Sequence, residues 1–238
     1  MKLLISPRDV EEARMAVEGG ADIIDIKNPA EGSLGASFPW VIRAVKKALP
    51  IDLELSATLG DLDGKPGFAS LAATGISSLG VDYIKAGLLV QGKQRALELA
   101  RSIVKASQAG KVRVVLAGYG DFQAIGSISP GELLEVALES GAYGVMIDTY
   151  TKNGASLFEH LSMKELKSFV DEARGQGLAV ALAGSIKTIH IPALKKLNAD
   201  IVGVRGAVCT ERDRIHGKIE KEKVKEFKQH LLDGGRVV

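Results

Sequence analysis

A single cysteine, Cys209, in 238 residues excludes an internal disulfide and a cysteine-rich metal site. It lies in Val208-Cys209-Thr210, and a small thiol packed near a strand end is a commoner arrangement there than a nucleophile. Histidine is also sparse: His160, His190, His216 and His230 show no ligand spacing, so no metal is expected. Neither sign of charge dominates. Against 31 Lys+Arg stand 29 Asp+Glu, for a net charge of +2, which is no footprint for nucleic acid. No apolar run approaches the ~20 residues of a membrane span. Met1-Lys2-Leu-Leu-Ile-Ser is too short for a signal peptide and is followed at once by Pro7. A cytoplasmic protein with no membrane partner is therefore expected. A Gly-x-Gly-x-x-Gly fingerprint joined to a strand and helix is missing too, so no dinucleotide is expected, and no other organic cofactor.

What the chain does have is alternation. Short β-rich runs at 2–6, 22–27, 53–57, 82–86, 113–117, 144–148, 179–183 and 201–205 are separated by amphipathic stretches near 7–19, 39–48, 67–79, 92–109, 130–140, 163–176, 188–197 and 221–232. Eight strand–helix pairs in this length match an α/β protein of one domain, 1–238, folded as a (β/α)8 TIM barrel. A doubly wound open sheet is the alternative. Ser6-Pro7 and Ser129-Pro130 read as helix cap and first helical residue. Glycines at 19–20, 110, 141 and 175 punctuate helix ends. The phrase Gly20-Ala-Asp-Ile-Ile is echoed at Gly80-Val-Asp-Tyr-Ile and Asn198-Ala-Asp-Ile-Val, each a helix exit running into a strand. No linker or low-complexity segment marks a second domain. A homo-oligomer is left open.

Two of the apolar strands end in lysine: Ala21-Asp-Ile-Ile-Asp-Ile-Lys27 and Val81-Asp-Tyr-Ile-Lys85. The C-terminal ends of barrel strands are where catalytic groups sit, and a lysine walled by apolar neighbours can lose its proton and attack a carbonyl. Strand alternation puts Asp25 on the face of Lys27 and Tyr83 on the face of Lys85. Asp148 closes Gly144-Val-Met-Ile-Asp148, and Lys152 follows. One such lysine is more often a solvated strand-end charge. The set together favours an active face, since charged strand ends converge there. A free lysine of pKa ~10.4 is only about 0.04% neutral at pH 7; burial and a second ammonium, from Lys85 or Lys152, lower it. Asp25 opposes that shift, so its expected role is proton transfer or orientation of Lys27. The loop 28–38 follows Lys27 without periodicity, and loops of this length are often functional.

Phosphate-binding signals lie later in the chain. Ala183-Gly184-Ser185 follows the seventh strand and Val204-Arg205-Gly206 the eighth, where barrels often bind phosphate through backbone N–H groups. Arg205 is expected to add a bidentate contact. Ala179, Ala181 and Ala183 leave room for a ligand. Ala117-Gly-Tyr-Gly-Asp121 reads as a tight turn, with Tyr119 or Asp121 within reach of a substrate.

The stretch Ile23-Ile-Asp-Ile-Lys-Asn-Pro-Ala-Glu-Gly-Ser-Leu-Gly-Ala-Ser-Phe-Pro-Trp40 carries a resemblance, supported by Lys65-Pro-Gly67, Asp82-Tyr-Ile-Lys85, Ala117-Gly-Tyr119, Asp148-Thr149, Lys152-Asn-Gly154 and Ala181-Leu-Ala-Gly-Ser-Ile-Lys187. Over nearly its whole length the chain resembles the (5-formylfuran-3-yl)methyl phosphate synthase family of methanofuran biosynthesis, also called 4-(hydroxymethyl)-2-furancarboxaldehyde-phosphate synthase. The resemblance implies a lysine-dependent lyase, akin to Schiff-base aldolases, that joins two molecules of glyceraldehyde 3-phosphate into a furan phosphate with loss of phosphate and water. It implies that Lys27 is the Schiff-base lysine, Lys85 a second catalytic lysine, and Asp25, Asp148 and Lys152 accessory groups. The segment 123–129 matches less well. The competing readings are a class I aldolase acting on another sugar phosphate and a non-catalytic phosphate-binding barrel.

Overall fold

Eight parallel strands close a barrel in sequence order: β1 (Lys2–Ile5), β2 (Ile23–Ile26), β3 (Glu54–Leu62), β4 (Tyr83–Leu88), β5 (Arg113–Tyr119), β6 (Gly144–Asp148), β7 (Ala179–Leu182) and β8 (Ile201–Val204). The computed structural model describes residues 1–233; residues 234–238, the end of the span expected to form the barrel, lie outside the described residues. Closure comes from β1 pairing with β8, with Leu4 opposite Gly203. The connecting helices are α1 (Val10–Glu18), α2 (Pro39–Ala48), α3 (Pro66–Ser77), α4 (Lys93–Ser107), the short α5 (Phe122–Ile125), α6 (Pro130–Ser140), the short α7 (Leu157–His160), α8 (Met163–Gly175), α9 (Ile191–Leu197) and α10 (Lys221–Leu232). No helix among the described residues is long and apolar enough to cross a membrane.

The period of two along each strand separates two apolar regions. Ile24 and Ile26 of β2 point outward into the large core between sheet and helices, with Leu3, Ile5, Ile84 and Leu116. Burying each such side chain contributes about 1.5–3 kcal/mol. The barrel interior holds a smaller cluster of Leu34, Tyr83, Val115, Ala117, Met146, Ala181 and Ala183. At the N-terminal end of the strands the Tyr83 hydroxyl donates to Glu54 (2.5 Å) and the Arg113 guanidinium lies 3.9 Å from the Tyr83 ring centroid. The N-terminal end is thus closed by its own polar cluster, separate from the groups at the opposite rim.

Three local expectations change. Ser129 caps α6 in a capping box with Glu132, Pro130 leading, but Ser6-Pro7 does not open α1. Asp9 is that cap, accepting from the Glu12 N–H at 2.9 Å, because the Ser6 hydroxyl instead donates into the barrel, to Asp25 Oδ2 at 3.1 Å. Strand β3 runs beyond residue 57 to Leu62, through a register shift between Thr58 and Asp61. The register shift carries Asp61 to the rim. Similarly, Ala117-Gly-Tyr119 is the end of β5 rather than a turn.

Candidate active site

The C-terminal rim gathers the lysines. Lys27 lies one residue beyond β2 and Lys85 in the middle of β4, while Asp148 ends β6 and Lys152 stands four residues on. All four touch one cavity of about 220 Å³, which also touches the Gly184-Ser185 and Arg205-Gly206 turns. Asp25 lies below and is fully buried; Lys27, Lys85 and Asp148 are 6%, 3% and 3% exposed.

Their pairing is unequal. Lys85 Nζ lies 2.7 Å from Asp25 Oδ2, and Lys152 Nζ lies 2.7 Å from Asp148 Oδ1. Lys27 has no carboxylate within ion-pair distance among the described residues; its Nζ donates to the carbonyl of Ser33 at 3.1 Å. Burial, the largest influence, pushes the Lys27 ammonium down from 10.5 to about 7; Lys85 and Lys152 add to the shift, while Asp148 and Asp25 oppose it. Burial alone would raise the Asp148 carboxyl, but Lys152, Lys27 and Lys85 outweigh it and hold it at about 2. Asp25 therefore holds Lys85 and does not orient Lys27 directly.

The loop 28–38 crosses the mouth. Asn28 N–H donates to the Gly35 carbonyl (2.9 Å), and a Cβ on Gly35 would lie 2.2 Å from the Asn28 oxygen, so that close turn needs glycine. The turn directs Leu34 inward, where it is fully buried in the interior cluster. Four fastenings hold the loop. The Ser33 hydroxyl donates to the Thr149 carbonyl (2.8 Å) and the Thr58 hydroxyl to the Gly35 carbonyl (2.7 Å). Arg214 donates to the carbonyls of Pro29 (3.2 Å) and Gly32 (2.9 Å). Asp61 accepts from the N–H groups of Ser33 (2.8 Å) and Leu34 (3.2 Å) and from the Tyr119 hydroxyl (2.6 Å). Sequence reasoning missed Asp61, Thr58 and Ser33. The available signal was Asp61 itself, a carboxylate four residues past the expected strand end at 57.

On the β7–β8 side the turns stand as expected, but the arginine does not. Gly184 has φ +101°, and a Cβ there would lie 2.8 Å from Thr149 Cγ2. Arg205 is 5% exposed. Its Nη1 and Nη2 donate to Glu12 (2.7 and 3.2 Å), Nη1 also to the Ser6 carbonyl (2.7 Å), and Nε to the Arg214 carbonyl (2.6 Å). Four of five N–H donors are thus committed, which leaves no bidentate fork for phosphate. Arg212, by contrast, lines the cavity and makes no ion pair or hydrogen bond from its guanidinium among the described residues. It and Glu211 have φ of +58° and +50°, a strained backbone for side-chain-bearing residues. Asp121 accepts from the N–H groups of Tyr150 and Thr151 and serves to shape the loop after β6. Among the described residues no three or more His, Cys, Asp or Glu side chains gather in an arrangement that could hold a metal ion.

A closed parallel barrel with buried ionisable side chains converging at one strand-end cavity defines an enzyme of the (β/α)8 class. Solved structures agree on the fold. A 3-hexulose-6-phosphate synthase is 24% identical, with 95% of this chain and 99% of that chain covered and a TM-score of 0.65. KGPDC from Streptococcus mutans is 13% identical, with 97% and 96% covered and a TM-score of 0.65. The model of 4-HFC-P synthase matches residues 3–228. Among curated relatives, the (5-formylfuran-3-yl)methyl phosphate synthase of Methanocaldococcus jannaschii is 51% identical over 96% of this chain and 99% of its own length. That of Methanothermobacter thermautotrophicus is 48% identical over 98% and 99%, and that of Archaeoglobus fulgidus 52% identical over 90% and 92%. The chain belongs to the 4-HFC-P synthase family.

Proposed function

We propose that this protein joins two molecules of glyceraldehyde 3-phosphate into (5-formylfuran-3-yl)methyl phosphate through a Schiff base on Lys27, as a phosphate-eliminating lyase of methanofuran-type cofactor biosynthesis. The observation that carries the reading is the unequal pairing of two buried lysines, Lys27 and Lys85, and the half-buried Lys152. Lys85 and Lys152 each hold a carboxylate at 2.7 Å, whereas Lys27 faces a carbonyl and is lowered to about 7. Near pH 7 roughly half of Lys27 is then the neutral amine, the form that attacks an aldehyde.

The amine adds to the aldehyde carbon of one triose phosphate, and water leaves as the iminium forms. Loss of the neighbouring C–H proton gives an enamine, whose carbon attacks the second aldehyde. Ring closure and elimination complete the furan. Two triose phosphates minus one phosphate and two waters give the product, with no oxidant or reductant needed. Lys85, held by Asp25, and Lys152, held by Asp148, are the groups placed to donate and accept the protons of these steps. The covered, water-poor mouth protects the imine from hydrolysis. Phosphate is received by the Gly184-Ser185 and Gly206 turns with the uncommitted Arg212, and Arg205 acts as a strut beneath them. Lys27-iminium formation withdraws electrons as a Lewis acid would, so activity survives exhaustive dialysis against EDTA. A loss restored by Zn²⁺ or Mg²⁺ would contradict that.

The test is incubation with glyceraldehyde 3-phosphate alone, followed by ultraviolet absorbance of a conjugated furan aldehyde and by release of inorganic phosphate. A simple aldol product without absorbance would favour the class I aldolase reading, and no turnover a binding barrel. Borohydride added with substrate fixes a triose on Lys27; an adduct on Lys85 alone would exchange their roles.

A further inference from the structure

Asp61 lies outside the set of lysines and carboxylates assigned to the chemistry, yet it is the carboxylate on which the mouth loop is hung. One oxygen takes the Ser33 N–H and the other the Tyr119 hydroxyl, with Leu34 N–H within 3.2–3.3 Å of both. Tyr119 is fully buried, and its hydroxyl is held protonated by burial and by Asp61, so it stays a donor. The surroundings leave space for this pair and for little else. A Cβ on Gly32 would lie 2.3 Å from Asp61 Oδ2, and a Cβ on Gly87 would lie 2.1 Å from the Tyr119 hydroxyl. What the clamp holds is Ser33, whose carbonyl is the acceptor of Lys27 Nζ, and Leu34, which closes the barrel interior.

We propose that Asp61 and Tyr119 are positioning residues for Lys27: by clamping Ser33 and Leu34 they hold the loop over its amine and keep it dry. The proposal deepens the reading of Lys27 as the reacting amine. The groups facing Lys27 are Asp25 from β2, Lys85 from β4, and Asp148 and Lys152 from β6 and its following loop. Those facing Asp61 are Tyr119 from β5 and Arg214 from the segment after β8. This arrangement makes the sign of the effect diagnostic. Removing the Asp61 charge alone would favour a neutral Lys27 and lower its pKa further. Releasing the loop admits water to Lys27 and raises it.

The test titrates Lys27 without substrate, by competitive labelling with acetic anhydride across pH 5–11 and mass spectrometry of the Lys27 peptide. In the parent the midpoint lies near 7. In Asp61→Asn it rises by at least one unit, about a fivefold fall in neutral amine at pH 7. In Tyr119→Phe, which keeps the ring packed against Tyr150 and leaves Asp61 on the loop, it rises by less. Amide exchange of Ser33 and Leu34 accelerates in both, in the same order. An unchanged or lowered midpoint in both variants overturns the proposal, and so does unchanged exchange at Ser33 and Leu34. Neither readout depends on turnover. A parent that shows this midpoint and clamp yet makes no furan would overturn the functional reading alone.

Discussion

The two flanks of the mouth solve opposite problems. On the β2 flank a cation is buried without a counter-charge. Lys27 is buried under its loop, donating to the Ser33 carbonyl, and is lowered to about 7. On the β6 flank a half-buried cation, Lys152, stands against a buried carboxylate, and Asp148 sits at about 2 because Lys152 and Lys27 outweigh its burial. Burial without a paired carboxylate lowers a lysine; an opposite charge at hydrogen-bond distance opposes that shift. The difference lies in which strand supplies a carboxylate at hydrogen-bond distance. Asp25, though two residues from Lys27, reaches across to Lys85 on β4. The flank destabilised by its charge is the one proposed to react, as expected when a reactive group is set at some cost to the fold.

The largest effect that would break this comparison comes from restoring a permanent charge. Lys27→Arg places a guanidinium that stays protonated where a neutral amine is required. Turnover is expected to fall by ~10³-fold or more, with borohydride trapping abolished. Furan formation above a tenth of the parent rate would remove Lys27 from the reaction.

Next comes the strut beneath the phosphate flank. Arg205 and Glu12 form a buried pair at 2.7 Å with 3% and 2% side-chain exposure. Removing one partner leaves the other charge buried and alone, so Arg205→Ala should cost about 3–5 kcal/mol of stability, read as a fall in the denaturant midpoint. A stable variant with only a raised KM would return Arg205 to a direct contact with phosphate.

How much of this was legible in the sequence follows from range. The barrel was readable because each strand is a short β-branched run bounded by its own punctuation, as in Ile23-Ile-Asp-Ile and Gly144-Val-Met-Ile-Asp148. The convergence of Lys27, Lys85, Asp148 and Lys152 followed from one rule, that strand ends share a face. Pairing was not readable. Asp25 on β2 holds Lys85 on β4, past the intervening β3, and Arg205 meets Glu12 from 193 residues away; no local pattern announces either. Asp61 was hidden because the expected strand stops at 57, whereas β3 continues through a register shift to Leu62. The Ser6 error has the same origin: a serine before proline looks like a cap until another strand, here β2, offers its hydroxyl a carboxylate.

A smaller effect tests the stability side. The folded value of about 7 for Lys27 lies below its ordinary 10.5, so between these pH values the unfolded chain binds the proton that the folded chain has lost. Stability from this group therefore rises with pH from about 7 to 10.5, and below 7 the burial cost is borne in full. Lys27→Met should gain ~2 kcal/mol at pH 7 and flatten that slope in urea titrations. Asp148 has the same sign of slope at acid pH but stabilises the fold: its contribution is present above 3.8 and is lost as pH falls through about 2. A parent whose stability is flat from pH 7 to 10.5 would mean that Lys27 stays charged in the fold.

The finest distinction is between two arginines on one rim. Arg205 is locked by Glu12, Ser6 and the Arg214 carbonyl, and Arg212 has a free guanidinium on the cavity among the described residues. Two successive residues with positive φ hold the Arg212 backbone in place, a strain that a surface loop without a task has no reason to retain. If Arg212 meets the phosphate, losing one charge-assisted contact at a partly solvated site is worth about 1.4 kcal/mol. Arg212→Ala should then raise KM for glyceraldehyde 3-phosphate about tenfold and weaken competitive inhibition by inorganic phosphate by the same factor, with kcat and thermal midpoint unchanged. Arg212→Lys should recover part of both, since it restores the charge without the fork. A fall in kcat at constant KM would instead place Arg212 in the bond-making steps. Equal inhibition by phosphate in the parent and Arg212→Ala would leave the backbone turns at Gly184 and Gly206 to hold the phosphate without it.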